Sequence, residues 1–110
     1  MPTINIYYKS DDQSHELEGI TPDIKEYAAK ILTCGDISLK PHEISVRLIK
    51  AGGAMIGEVE AEINAYAFDD RVKKQDELCL GLADFIQNKS SIKDVKAWLI
   101  LSELGHSWED

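Results

Sequence analysis

The sequence predicts an α+β chain: two β-α-β units whose four strands form one mixed sheet, with two helices on one of its faces. Three observations carry this. Apolar and polar residues alternate in four separate segments, as half-buried strands do. Two longer segments between them carry apolar residues at helical spacing. The element order of the first half recurs in the second. Ile4-Asn5-Ile6-Tyr7 is echoed by Ile63-Asn64-Ala65-Tyr66, and each is followed shortly by an Asp-Asp pair. The 110 residues are expected to form a single domain over 1–110, with pseudo-repeats over about 2–50 and 59–103.

The first strand is expected over Thr3–Lys9, where Ile4, Ile6 and Tyr8 alternate with Asn5 and Tyr7. Ser10–His15 is polar and is expected to be a loop. A helix is expected from Thr21, with Pro22 in its first turn and Asp23 facing the positive end of the dipole. Its stripe is Ile24, Tyr27, Ala28, Ile31 and Leu32, and Gly35-Asp36 end it. The second strand is Glu43–Ile49, with Ile44, Val46 and Leu48 on one face. Ala51–Gly57 is glycine-rich; no Lys-Ser/Thr follows and no helix opens, so it is not a phosphate-binding loop.

Val59–Phe68 is expected as the third strand, with Val59, Ala61, Ile63, Ala65 and Ala67 on one face. Asp69-Asp70 open a helix through about Asn88, with the stripe Val72, Leu78, Cys79, Leu82, Ala83 and Ile86. Asp94–Ser102 is the last strand, with Val95, Ala97, Leu99 and Leu101 opposed to Trp98 and Ile100.

Two β-α-β units with both helices on one side leave the other sheet face uncovered. That face is expected to carry Asn5, Tyr7, Ser45, Arg47, Ile49, Tyr66, Phe68, Trp98 and Ile100. So many large apolar groups call for cover, and homo-oligomerisation supplies it.

The net charge of −8 argues against nucleic acid or an anionic membrane as the main partner, though not against a small anionic substrate at a local cation. Cys34 and Cys79 resemble core residues rather than a disulfide or metal pair. His15-Glu16-Leu17-Glu18 lacks a second histidine at helical spacing, and His42 and His106 are isolated, so no metal site is expected. No apolar run is long enough to span a bilayer, and the first residues have no signal-peptide character, which leads to the expectation of a cytoplasmic protein.

Three segments resemble the tautomerase superfamily, the group of macrophage migration inhibitory factor, 5-carboxymethyl-2-hydroxymuconate isomerase and 4-oxalocrotonate tautomerase. They are Met1-Pro2-Thr3-Ile4-Asn5-Ile6, Ile44-Ser45-Val46-Arg47-Leu48-Ile49 and Leu78-Cys79-Leu80-Gly81-Leu82-Ala83. The resemblance implies a homotrimer and a cofactor-independent isomerase acting on a small keto-enol carboxylic acid. It implies Pro2, freed by removal of Met1, as general base. Burial near other cations would lower the pKa of that secondary amine toward neutrality. Arg47 matches the arginine of the Ser-Val-Arg strand that binds substrate carboxylate, a task suited to a bidentate guanidinium. Lys40 of Lys40-Pro41 is a second substrate-binding candidate, and Tyr66 a candidate for the pocket wall. Arg71, in the first turn of the second helix, is expected to be a solvated surface residue.

The sequence also departs from the family pattern. The second arginine of the short tautomerases has no counterpart, since Lys9, Asp11 and Asp12 stand there. Ala67-Phe68-Asp69 replaces the Ser-Ile-Gly turn. These departures support one alternative, an inactive trimer serving as a binding or scaffold protein; a decarboxylase or dehalogenase on the same scaffold is a further alternative, which the single matching arginine disfavours.

Overall fold

In the computed structural model, residues 2–33 and 38–102 are described. The strands are β1 (Thr3–Tyr8), β2 (Ser45–Lys50), β3 (Val59–Tyr66) and β4 (Val95–Ser102). The helices are α1 (Asp11–Leu32), α2 (Asp69–Lys73) and α3 (Gln75–Lys89), with a short 3-10 turn at Pro41–Glu43. The sheet order is β2-β1-β3-β4. β1 and β2 are parallel, β3 and β4 are parallel, and β1 joins the two pairs by running antiparallel to β3. The architecture is the expected mixed sheet with the long helices packed on one side.

The alternation in the strands decides which face meets the helices. Ile4, Ile6, Val59, Ala61 and Ile63 are completely buried there. Leu17, Ile24, Ala28 and Leu32 of α1 and Leu82 and Ile86 of α3 are buried against them. Tyr27 and Phe85 stack at 4.4 Å between α1 and α3. That approach needs Gly81, because a Cβ there would collide with the Tyr27 hydroxyl.

Helix α1 begins at Asp11, well before the expected Thr21. The polar stretch taken for a loop holds the cap. The Ser10 hydroxyl accepts from the Gln13 amide at 3.2 Å, and Gln13 Oε1 accepts from the Ser10 amide at 3.1 Å. This reciprocal pair, with Asp11 and Asp12 in the first turn, starts the helix. Pro22 therefore lies inside α1 rather than at its start. It is exposed, as is Glu18, whose carbonyl would have bonded to residue 22, so water can serve that oxygen.

The second expected helix is interrupted at Lys74, between α2 and α3. The polar run Lys73-Lys74-Gln75-Asp76 offers no apolar side chain to hold it to the sheet. The expected stripe fails at its first member: Val72 is 44% exposed, whereas Arg71 is buried at 3%. Strand β3 ends at Tyr66, so Ala67 and Phe68 lie beyond it and Phe68 caps α2 instead of joining the open sheet face. The second strand starts at Ser45 because Pro41–Glu43 form the 3-10 turn. Cys34, the helix end at Gly35-Asp36, and His106 lie outside the described residues.

Candidate active site

The strand register gathers one end of the sheet. Thr3 pairs with Ser45 on one side and with Asn64 on the other. Tyr66 pairs with Ser102. The starts of β1 and β2 therefore meet the ends of β3 and β4. Pro2 immediately precedes β1, is buried, and accepts through its carbonyl from the Ser45 amide at 3.3 Å. One residue beyond the Thr3–Asn64 pair, Pro2 is level with Ala65. An open cavity of about 160 Å³ at this end is lined by Asn64, Ala65, Tyr66 and Ser102. Lys40 is exposed before the turn that leads into β2, at the same end. Its backbone amide donates to Glu43 Oε1 at 2.8 Å, which fixes that turn.

Arg47 is exposed on the sheet face away from the helices, level with Asn5. It stands three residues along from the level of Pro2's neighbour Ile44, a Cα separation of about 10 Å at the usual strand rise. Pro2, Tyr66 and Lys40 thus share one end of the sheet, and Arg47 lies farther along its open face.

That face carries Asn5, Tyr7, Ser45, Arg47, Ile49, Tyr66, Trp98 and Ile100, as expected, together with Glu60, Glu62, Asn64 and Lys96. Tyr66 and Ile100 are 38% and 44% exposed, and Tyr7 stacks with Trp98 at 6.3 Å. Arg47, Asn5, Glu62 and Trp98 form one row across all four strands. The Glu62 carboxylate accepts from Asn5 Nδ2 at 2.9 Å, from Asn64 Nδ2 at 3.0 Å and from Trp98 Nε1 at 3.2 Å. The asparagine donors, chiefly Asn5, lower its pKa below the ordinary carboxylate value, against a smaller upward push from burial. The sequence reading missed Glu62. Its signal was an acidic residue at an alternating position of a strand whose partners on the same face are amides and an indole.

Arg71 is the clearest departure from expectation. Its Nε and Nη2 donate to the Leu32 carbonyl at 3.1 and 2.9 Å, and its Nη1 donates to the Tyr66 carbonyl at 3.1 Å. The guanidinium lies 4.8 Å from the centre of the Phe68 ring. Leu32 is the last residue of α1, where carbonyls lack helical partners and the dipole is negative. The arginine is unfavourably placed for its own short helix but well placed for the end of α1, and it ties that end to the residue that walls the cavity. Phe68 in turn meets Tyr66 edge to face at 6.4 Å.

Among the described residues, no group of three or more His, Cys, Asp or Glu side chains is placed to hold a metal ion. No described helix is long and apolar enough to cross a membrane.

The sheet order, the paired parallel strands and the two long helices define the tautomerase fold, shared with macrophage migration inhibitory factor. Solved structures bear this out. A macrophage migration inhibitory factor-like protein from Entamoeba histolytica superposes with a TM-score of 0.64 at 14% identity, covering 96% of this chain and 95% of that one. A protein of unknown function from Vibrio cholerae O1 biovar eltor gives 0.70 at 14% identity, covering 99% and 84%. N1, a member of the cis-3-chloroacrylic acid dehalogenase family, gives 0.56 at 6% identity, covering 98% and 81%. No protein-family model and no curated protein matches the sequence.

Proposed function

We propose that this chain is a cofactor-independent tautomerase or isomerase of the tautomerase superfamily, acting as a homotrimer on a small keto-enol carboxylic acid. Pro2 is the general base once Met1 is removed, and Arg47 clamps the substrate carboxylate. The observation that carries this reading is the placement of Pro2: buried, at the start of β1, at the sheet end that bears the Tyr66 cavity.

A secondary amine held there loses hydration of its ammonium form, which favours the neutral base. It takes the hydroxyl proton of the enol and returns a proton to the adjacent carbon, leaving the 2-oxo acid. A cation offsets the negative charge that develops in between. The separation of Arg47 from Pro2 along the protomer favours an arginine supplied by a neighbouring subunit. The apolar open face, with Tyr7, Ile49, Trp98 and Ile100, supports such an assembly. Lys40 adds a second cation at the mouth, and Tyr66 an apolar wall.

A second reading, a tautomerase-fold trimer that binds a ligand without turnover, draws on Arg71. The chain has two arginines, and Arg71 is committed to the fold, so one exposed guanidinium is left for an anion. The same scarcity weighs against the decarboxylase and dehalogenase alternative. Protein of intact mass lacking Met1 is assayed for ketonisation of the phenylpyruvate enol by ultraviolet absorbance, with sedimentation for its size. Turnover by a trimer supports the enzyme. A trimer without turnover favours the binding protein, and a monomer removes both.

A further inference from the structure

We propose that Asn5 and Glu62 are positioning residues for Arg47. Glu62 turns the Asn5 amide so that Oδ1 faces the flank of β2, and the Arg47 guanidinium docks on that oxygen, held ready for a carboxylate. This rests on the reading of Arg47 as the carboxylate clamp and deepens it.

The starting observation is an unpaired atom. Asn5 is 9% exposed, and its Oδ1 is buried with no hydrogen-bond partner among the described residues. A buried amide oxygen without a donor is costly and rare in native proteins. The orientation of the amide is fixed by chemistry rather than by choice of label. An ionised carboxylate only accepts, so the Asn5 atom 2.9 Å from Glu62 Oε1 is the nitrogen. With Nδ2 committed to β3, Oδ1 lies on the other arm of the planar amide. The strand on that flank is β2, and its residue level with Asn5 is Arg47.

Neighbouring parallel strands run about 4.8 Å apart, and residues level with each other share a face. Arg47 brings five N–H donors and is exposed, with no hydrogen bond or ion pair to any described residue. Docking one of its donors on Oδ1 leaves the others for a bidentate grip on a carboxylate. Glu62 has a second part in this. Its oxygens are occupied by Asn5, Asn64 and Trp98, and Asn5 stands between it and Arg47 in the row. A carboxylate so satisfied is kept from pairing with Arg47 and neutralising the clamp.

The test combines kinetics with a readout that needs no turnover. The two arginines give a simple guanidinium region in a nitrogen-15 spectrum. In wild type the Arg47 signals are expected to exchange with water more slowly than those of free arginine. Asn5→Ala is expected to bring them to free values while the Arg71 signals stay, which shows that the variant is folded. In phenylpyruvate turnover, Asn5→Ala and Glu62→Ala are expected to raise KM about tenfold with kcat within about twofold, the pattern of lost substrate binding. Glu62→Gln keeps an oxygen to accept from Asn5 and is expected to restore KM to within about threefold of wild type. In an Arg47→Ala background, Asn5→Ala is expected to add nothing. Unchanged Arg47 signals in Asn5→Ala overturn the proposal, as does a KM effect that persists without Arg47. Absence of turnover by wild type overturns the enzymatic reading alone, and the spectrum then decides the positioning role.

Discussion

Replacing Arg71 with Met keeps a long apolar stem and removes the guanidinium. The buried Leu32 carbonyl then loses both guanidinium donors, while the Tyr66 carbonyl keeps the Phe68 amide at 3.0 Å. Leaving that one buried acceptor unsatisfied costs about 1–3 kcal/mol. The lost bond to Tyr66 adds to this and the dehydration that a cation no longer needs offsets it, which leaves an expected net destabilisation of about 1–3 kcal/mol. For a chain of this size that is a fall in Tm on the order of 10 °C. Arg71→Lys keeps the charge but not the fork, so it serves one carbonyl well and is expected to lose about 1–2 kcal/mol. The assay is urea unfolding followed by circular dichroism, with the slope m compared among the variants so that a change in midpoint can be taken as a change in stability. The order wild type, Lys, Met in falling stability supports the carbonyl-clamp role. Arg71→Met within about 0.5 kcal/mol of wild type, the range of ordinary surface substitutions, refutes it.

Other perturbations follow from the same geometry. Gly57 has φ +85°, and a Cβ there would lie 3.0 Å from Lys96 Cγ and 3.1 Å from the Asp94 carbonyl. Gly57→Ala is therefore expected to destabilise by about 1–3 kcal/mol, whereas Gly19→Ala, in open space inside α1, is expected to stabilise by about 0.5–1 kcal/mol; thermal melts check the opposite signs. Gly81→Ala pushes on the Tyr27 hydroxyl and is expected to cost about 1–3 kcal/mol, with partial rescue when Tyr27→Phe removes that hydroxyl. For Glu62 the folded pKa is depressed, so its contribution is fully present above the unfolded carboxylate value and is lost as pH falls through the folded one. Urea midpoints of wild type and Glu62→Gln are expected to differ most above about pH 5 and to converge in more acidic solution; a difference independent of pH contradicts the assignment.

The fold was legible because strand alternation and helical spacing are local signals. Ile4 and Ile6 announced the buried face of β1, and Leu78, Leu82 and Ile86 the seam of α3. What escaped depended on partners distant in sequence. Ser10-Asp11-Asp12-Gln13 is polar whether it forms a loop or a capping box, and Thr21-Pro22 offered a competing start that the sequence alone could not rank. Arg71 looked like a surface cation because its acceptors are carbonyls on α1 and β3, which no side-chain pattern displays. The row Arg47, Asn5, Glu62, Trp98 is built by strand register, so its members are scattered through the sequence. Pro2 and Lys40 were legible as candidates through a family resemblance and Tyr66 as an aromatic of the open sheet face, and the strand register brings the residue after Pro2 and Tyr66 to one end of the sheet.

The proposed chemistry turns on the nitrogen of Pro2. Wild type and Pro2→Ala, each verified by intact mass to have lost Met1, are compared for kcat/KM in ketonisation of the phenylpyruvate enol. General-base catalysis is worth about 10²–10⁴-fold, and Pro2→Ala is expected to lose at least about 100-fold while keeping its melting temperature near that of wild type. Equal values of kcat/KM in the two proteins would contradict the proline mechanism.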